Sequence, residues 1–138
     1  MVNASAVPAY VIIDFRIPFP PSVNHLYATV RGRRVLSAKG RTYHARVLYE
    51  ARRQIGATWE TLTGRLGIKI TLHPPDRRRR DISNCVKIIE DSMTKARVWH
   101  DDSQIDVLHV LRGEVSDPGY ASVMVWVVQI RAAVRGEI

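Results

Sequence analysis

Apolar and polar residues alternate along two segments of the chain, 10–19 and 66–73, with the two-residue period of a half-buried β-strand. Residues 104–112 and 120–130 are also rich in strand-forming residues. The last segment is apolar on both faces, so it belongs in the middle of a sheet or is covered on its second face by another subunit. The pattern therefore predicts a sheet in which one strand is buried from both sides.

The first amphipathic helix is predicted directly after a short hairpin. Two β-prone runs within 27–37 flank Arg31-Gly32, which suits a tight turn. Ser37 is expected to cap the helix that follows, and Gly56 to lie at its end. The apolar stripe of this helix consists of Tyr43, Val47, Leu48, Ala51 and Ile55.

The second amphipathic helix is expected to start at an N-cap formed by Asp81 and to run to about Val98. At 100° per residue, Ser83, Lys87 and Thr94 lie on its outer side, and the one-turn spacing places Ser83 and Lys87 one above the other. Its core-facing arc consists of Cys85, Ile88, Ile89, Met93 and Ala96.

The order of these elements predicts the fold class. Strands, helix, strand, helix, strand and strand follow one another, with a turn at 117–119 before the last strand. This order is typical of an α+β domain, a mixed β-sheet with two main helices packed against it. A single domain is expected over 1–138, with loose termini at 1–8 and 132–138.

The charge balance indicates a polyanionic partner. The net charge is +8 and the isoelectric point is about 10.2. Only four of the 21 cationic residues are lysines, and the planar fork of arginine suits bidentate contacts with phosphate. An arginine-rich codon usage would produce the same count, so the location of the arginines matters more than their number.

Cysteine usage and hydropathy indicate the compartment. Cys85 is the only cysteine, which excludes an intrachain disulfide and favours a reducing environment. The first ten residues lack the basic and apolar regions of a signal peptide. No run approaches the roughly 18 apolar residues of a membrane span. A cytoplasmic protein without membrane association is therefore expected.

The densest positive charge is the run Arg77, Arg78, Arg79 and Arg80, which leads directly into Asp81. Two interpretations are open, a solvated surface loop and a site for phosphate and a metal ion. Each phosphate that such arginines neutralise would steepen the salt dependence of binding by roughly 0.9 in log K.

Carboxylates that could hold a metal lie at Asp81 and at the pair Asp101-Asp102. Mg²⁺ is typically held by one or two carboxylates together with waters and phosphate oxygens. If the strand before the arginines neighbours the strand after Asp102, these carboxylates are expected to meet at one end of the sheet. An N-cap and an ordinary turn would explain the same residues.

Four motifs then carry a family resemblance. In chain order they are PPSVNHLY, SAKGRTYHARV, PDRRRRDISNCVK and VWHDDSQID. Over about 17–112 the chain resembles the RusA family of Holliday-junction resolvases. The resemblance implies a homodimeric, magnesium-dependent endonuclease that nicks four-way DNA junctions, with Mn²⁺ as a substitute metal and no small-molecule cofactor. A phage-borne setting is one option.

The resemblance also implies a site of three aspartates and one lysine. The first aspartate matches Asp81, the lysine matches Lys87, and the third aspartate matches Asp102. The second aspartate is replaced by Ser83, a neutral and poor magnesium ligand, and Asp101 is a further possible ligand. Lys87 and the four arginines are the expected DNA contacts.

Two main hypotheses follow for the function. The first is a RusA-like junction endonuclease whose activity is reduced by Ser83. The second is a structure-selective protein that binds branched DNA but has lost most of its catalysis. A basic protein that docks an acidic protein partner is a third, weaker hypothesis, because it has no use for Asp81 and Asp102 beside the arginines.

Overall fold

A computed structural model describes residues 11–128, which form one four-stranded sheet, a separate two-stranded hairpin and two helices. The α+β class with a mixed sheet and two main helices is confirmed. The strands are β1 Ile13–Pro18, β2 Tyr27–Val30, β3 Arg33–Leu36, β4 Leu66–His73, β5 Ile105–Arg112 and β6 Tyr120–Val127. The helices are α1 Ala38–Gln54 and α2 Ser83–Lys95, and short 3₁₀ turns lie at Val23–His25 and Asp102–Gln104.

The four-stranded sheet has the order β1-β6-β4-β5. β6 pairs antiparallel with both of its neighbours, whereas β4 and β5 are parallel. The prediction that the doubly apolar segment lies inside the sheet is thus confirmed for 120–127; residues 129–130, like both predicted loose termini, lie outside the described residues.

The core lies between one face of this sheet and the two helices. The alternate positions of β4, Leu66, Ile68, Ile70 and Leu72, are at most 1% exposed and share one cluster with residues of α1 and α2. Full burial of such a side chain contributes about 1.5–3 kcal/mol. A one-residue slip in register would turn this whole row away from the helices, so the core fixes the register of the sheet.

The second face of the sheet carries no helix within residues 11–128. Aromatic and cationic side chains lie on it instead: His73 stacks on Tyr120, and the guanidinium of Arg16 lies 4.5 Å from the centroid of the Tyr120 ring. Trp126 lies flat against Gly67, where a Cβ atom would collide with the indole. No helix of the described part is long and apolar enough to span a bilayer.

The start of α1 agrees with the prediction. The hydroxyl of Ser37 accepts a hydrogen bond from the amide of Gly40 at 3.1 Å. The hairpin turn is also where it was expected, because both Arg31 and Gly32 have positive φ, at 52° and 75°.

Both ends of α2 differ from the prediction. The helix starts at Ser83, and the side chain of Asp81 does not cap it, so the predicted N-cap is wrong; only the main-chain carbonyl of Asp81 accepts a bond, from Asn84. The helix ends at Lys95 instead of Val98, because Arg97 adopts a left-handed conformation. The amides of Arg97 and Val98 then bond back to Thr94 and Met93, a helix ending that usually places glycine at this position.

Candidate functional site

The parallel pairing of β4 and β5 decides where the acidic residues lie. The two strands are neighbours, as the sequence-based expectation required, but the end of β4 and the start of β5 lie at opposite ends of the sheet. The expected meeting of the carboxylates at one sheet end is therefore wrong. α2 instead connects the two ends, and its outer face runs from the arginine run towards the loop that carries Asp102.

The carboxylate of Asp102 is held by three donors. Its Oδ1 accepts a hydrogen bond from the Thr94 hydroxyl at 2.5 Å and one from the indole N–H of Trp99 at 3.2 Å. Its Oδ2 accepts a bond from Lys87 Nζ at 3.2 Å. One oxygen thus faces the protein interior, while the other faces the outer surface of α2.

Trp99 determines the direction of these hydrogen bonds. Its side chain is 0% exposed, and its N–H, which can only donate, points to Thr94 Oγ1 at 2.9 Å as well as to Asp102. A hydroxyl that accepts from the indole has its own single proton free to donate. Its two acceptors are the Glu90 carbonyl at 3.1 Å and Asp102 at 2.5 Å, and the shorter contact to a charged oxygen favours Asp102. The buried indole therefore orients the carboxylate through Thr94.

The same contacts set the protonation states. Partial burial acts to raise the pKa of Asp102, but the hydrogen bonds from Thr94, Trp99 and Lys87 outweigh it, and the pKa is lowered overall. Bonds from Lys87 to Asp91, at 3.0 Å, and to Asp102 raise the pKa of the lysine. Asp102 and Lys87 therefore form an ionised pair at neutral pH.

Gln104 fixes the loop that carries the two aspartates. Its side-chain oxygen accepts the amides of His100 and Asp101, and its side-chain nitrogen donates to the carbonyls of Leu62 and Gly64. The carboxylate of Asp101 caps the turn by accepting the amide of Ser103 at 2.9 Å. Asp101 therefore has a structural contact that explains its position, without any bond to Lys87 in the described chain.

Asp81 and Ser83 lie near the other end of the outer face of α2, and both are exposed. Within residues 11–128, the side chain of Asp81 makes no hydrogen bond or ion pair. Across the same range no three His, Cys, Asp or Glu side chains meet in an arrangement that could hold a metal ion. The structure thus brings Lys87 to Asp102, whereas the side chain of Asp81 bonds to neither of them.

The arginine run is divided between structural and exposed residues. Arg80 is held inside the loop, where its guanidinium donates to Asp76 Oδ1 at 2.7 Å and lies over the ring of Phe19. Hydrogen bonds from Arg80 and from the Arg78 amide lower the pKa of Asp76 to about 2. Arg77, Arg78 and Arg79 are exposed, so three of the four predicted phosphate contacts face solvent.

Comparison with known proteins then identifies the family. Residues 18–125 match the family model described as endodeoxyribonuclease RusA. The chain belongs to the RusA family. It is 40% identical to the crossover junction endodeoxyribonuclease RusA of Escherichia coli strain K12 over 106 residues, which covers 75% of this chain and 84% of that protein. Proteins of the same name from Shigella sonnei and Enterobacteria phage 82 are 39% identical over the same coverage.

Several contacts of this RusA-family site were not anticipated from the sequence. Asp91 pairs with Lys87 and lies one turn after it, a spacing that could have indicated the ion pair. Asp76 could have been noticed as well, because it directly precedes the arginine run. Trp99 lies in the core, and no pattern in the sequence shows that its indole donates to Asp102.

Replacing Thr94 by valine should raise the pKa of Asp102, because the variant loses the shortest hydrogen bond to the ionised carboxylate. A pH titration followed by carboxyl ¹³C NMR would measure the shift. In the wild type, the lowered pKa of Asp102 stabilises the folded protein at pH values above the pKa of the unfolded chain, near 3.8. This stabilisation is lost as the pH falls through the pKa of the folded state. The unfolding free energy of the variant should therefore fall less on acidification. Thr42→Val, at an exposed site on α1, is the control; an unchanged Asp102 pKa in T94V would contradict the assigned bonding.

Proposed function

We propose that this protein binds four-way DNA junctions and resolves them by paired symmetric nicks, as a magnesium-dependent endonuclease. The observation that carries the proposal is the ionised pair of Lys87 and Asp102 on the outer face of α2, which begins three positions after the arginine run. The family relationship supports the same function, since the relatives named above are crossover junction endodeoxyribonucleases. We place the activity in the cytoplasm, on bacterial or phage DNA.

The donor set fits a cation that shares its coordination with substrate. Hard oxygen ligands lie at two places along the outer face of α2, Asp102 near its end and Asp81, with the weak ligand Ser83, near its start; Mg²⁺ commonly binds to one or two carboxylates and completes its shell with waters and phosphate. When bound, the cation would polarise the scissile phosphate and lower the pKa of an attacking water. Mn²⁺ is the expected substitute.

The protein's own residues have separate tasks in this reaction. Thr94 and Trp99 fix the carboxylate of Asp102 so that Oδ2 faces the substrate side. Lys87 is held on the exposed surface by Asp91 and Asp102, where its ammonium can offset the negative charge that develops on the phosphate. Arg77 and Arg79 bind the phosphate backbone of the DNA next to the site of cleavage. Neither arginine makes an ion pair within the described chain.

A second candidate is a branched-DNA-binding protein with impaired catalysis. Ser83 in place of a third carboxylate favours it, as does the lack of a three-ligand acidic group in residues 11–128. Cleavage with Mg²⁺ and Mn²⁺, measured beside junction binding in EDTA, separates the two functions.

A homodimer is part of the proposal, because two symmetric nicks require two equivalent sites related by a twofold axis. The second face of the sheet, where Met124 of β6 remains partly exposed, is the expected interface. Sedimentation at micromolar concentration should show a dimer, and replacing Met124 by lysine should weaken it. A wild-type monomer would contradict this part of the proposal.

The variant Asp102→Asn should abolish junction cleavage while leaving junction affinity unchanged or slightly higher, since it removes a charge that repels phosphate. Lys87→Ala should lower turnover with little loss of stability, because this lysine is exposed. Asp106→Asn is the control, because within residues 11–128 the charge that it removes pairs only with Arg65. Cleavage by D102N at the wild-type rate would show that the catalytic site lies elsewhere.

Restoring an acid by Ser83→Asp should tighten Mg²⁺ binding and speed cleavage at low magnesium. The new carboxylate lies in the first turn of α2, where negative charge also suits the helix dipole, so little stability should be lost. Ser22→Asp makes the same charge change at an exposed N-cap and should leave both quantities unaltered. If S83D also leaves metal affinity and rate unaltered, then a water or Asp101 already fills the position.

A further inference from the structure

We propose that the β2–β3 hairpin and the start of α1 form a second DNA-binding surface, which holds the phosphate backbone of one junction arm. This hairpin surface consists of Arg31, Arg33, Arg34, Lys39 and Arg46. The proposal rests on the proposed function for the identity of the DNA. It concerns a region that contains none of the residues assigned above to catalysis or to the arginine run.

The charge distribution along the chain first points to this region. Residues 15–49 contain seven of the 21 Lys and Arg residues and none of the 13 Asp and Glu residues. The 14 cations elsewhere nearly balance the 13 acids, so this segment accounts for +7 of the net +8. Positive charge on that scale, confined to one segment, is the electrostatic footprint of a polyanion-binding surface.

The cations of the hairpin surface are available for a ligand. The side chains of Arg31, Arg33, Lys39 and Arg46 are exposed and make no hydrogen bond or ion pair with any residue of 11–128. Arg34 lies with its guanidinium 4.1 Å from the centroid of the Tyr27 ring, an arrangement that leaves the edge of the fork free to donate. By contrast, Arg53, Arg65 and Arg80 pair with acidic neighbours.

Two of these cations occupy positions that the local structure disfavours. Arg31 has a φ of 52° at the first central position of a two-residue hairpin turn, where asparagine or glycine is preferred. Lys39 lies in the first turn of α1, which contains no acid to offset the positive end of the helix dipole. A bound anion explains why cations lie at both positions.

The hairpin surface lies beside the arginine run. β1 ends at the same end of the sheet as β4, and the hairpin follows β1 while the arginines follow β4. The guanidinium of Arg80 lies 5.5 Å from the centroid of the Phe19 ring. Phe19 also lines an open depression of about 340 Å³, together with Lys39 and Arg46. A basic path therefore runs from the arginine run to the hairpin, along which one duplex arm can be held.

A phosphate backbone fits this surface better than base edges or a protein. The hairpin presents arginine guanidinium groups and no acidic side chain. The surface can therefore neutralise phosphates, but it has no group that could pair with the cations of a protein partner. Its contribution should be independent of DNA sequence and strongly dependent on salt.

The test compares two triple variants with equal loss of charge. The hairpin variant carries Arg31→Asn, Arg33→Gln and Lys39→Gln; the control carries Arg97→Asn, Arg52→Gln and Lys95→Gln. Arg31 and Arg97 are both exposed arginines with positive φ, so the asparagine substitutions are matched. Fluorescence anisotropy with a four-way junction in EDTA, at several salt concentrations, gives the affinity and its salt slope.

We expect the salt slope of the hairpin variant to fall by roughly 2–3, about 0.9 for each lost phosphate contact, while the control keeps the wild-type slope. The melting temperature of the hairpin variant should be equal or higher, because asparagine suits the turn. Equal slopes for both variants would overturn the hairpin surface. A change in the sedimentation of the hairpin variant would assign the hairpin to a subunit interface and would overturn it as well.

The outcome also separates this inference from the proposed function. If wild-type protein shows no preference for the junction over linear duplex, the proposed function fails. If wild type binds the junction and Arg77→Gln with Arg79→Gln lowers the slope, but the hairpin variant does not, only the hairpin surface fails.

Discussion

β4 and β5 pair in parallel, and two parallel neighbours can be joined only by a crossover that returns to the starting end of the sheet. α2 is that crossover. Its inner face must cover the sheet, so its outer face necessarily runs from the arginine run to the loop of Asp102. The meeting of Lys87 with Asp102, which are 15 residues apart, is therefore a consequence of strand direction.

The hydrogen bonds of Asp102 connect this surface to the core. An indole that is fully buried needs an acceptor for its N–H, because an unsatisfied buried donor costs about 1–3 kcal/mol. Thr94 and Asp102 supply that acceptor. The carboxylate of Asp102 is consequently part of the environment of the buried Trp99. This contact holds the carboxylate in one orientation, and a change at Asp102 would also affect the core around Trp99.

The sequence was sufficient to predict the strands in which the pattern of apolar residues matches the pattern of burial. The alternation of Leu66–His73 gave the bounds of β4 correctly, and the doubly apolar segment gave the central position of β6. A pattern of apolar and polar residues does not reveal the direction of a strand relative to its neighbours. The prediction that Asp81 and Asp102 meet at one end of the sheet was therefore wrong. The end of α2 was missed because Arg97 takes a conformation that sequence patterns associate with glycine.

The arginines divide into two groups with different physical roles. Asp76 holds Arg80 in the loop, and since an exposed ion pair contributes only about 0–1 kcal/mol, its effect is on geometry more than on stability. Arg31 and Arg33 have no such partner within residues 11–128. An ion-paired cation must give up its acid before it can neutralise a phosphate, whereas an unpaired one releases a counterion from the DNA at once. On the proposed function, the salt dependence of junction binding is thus determined by the unpaired cations and not by the total of 21.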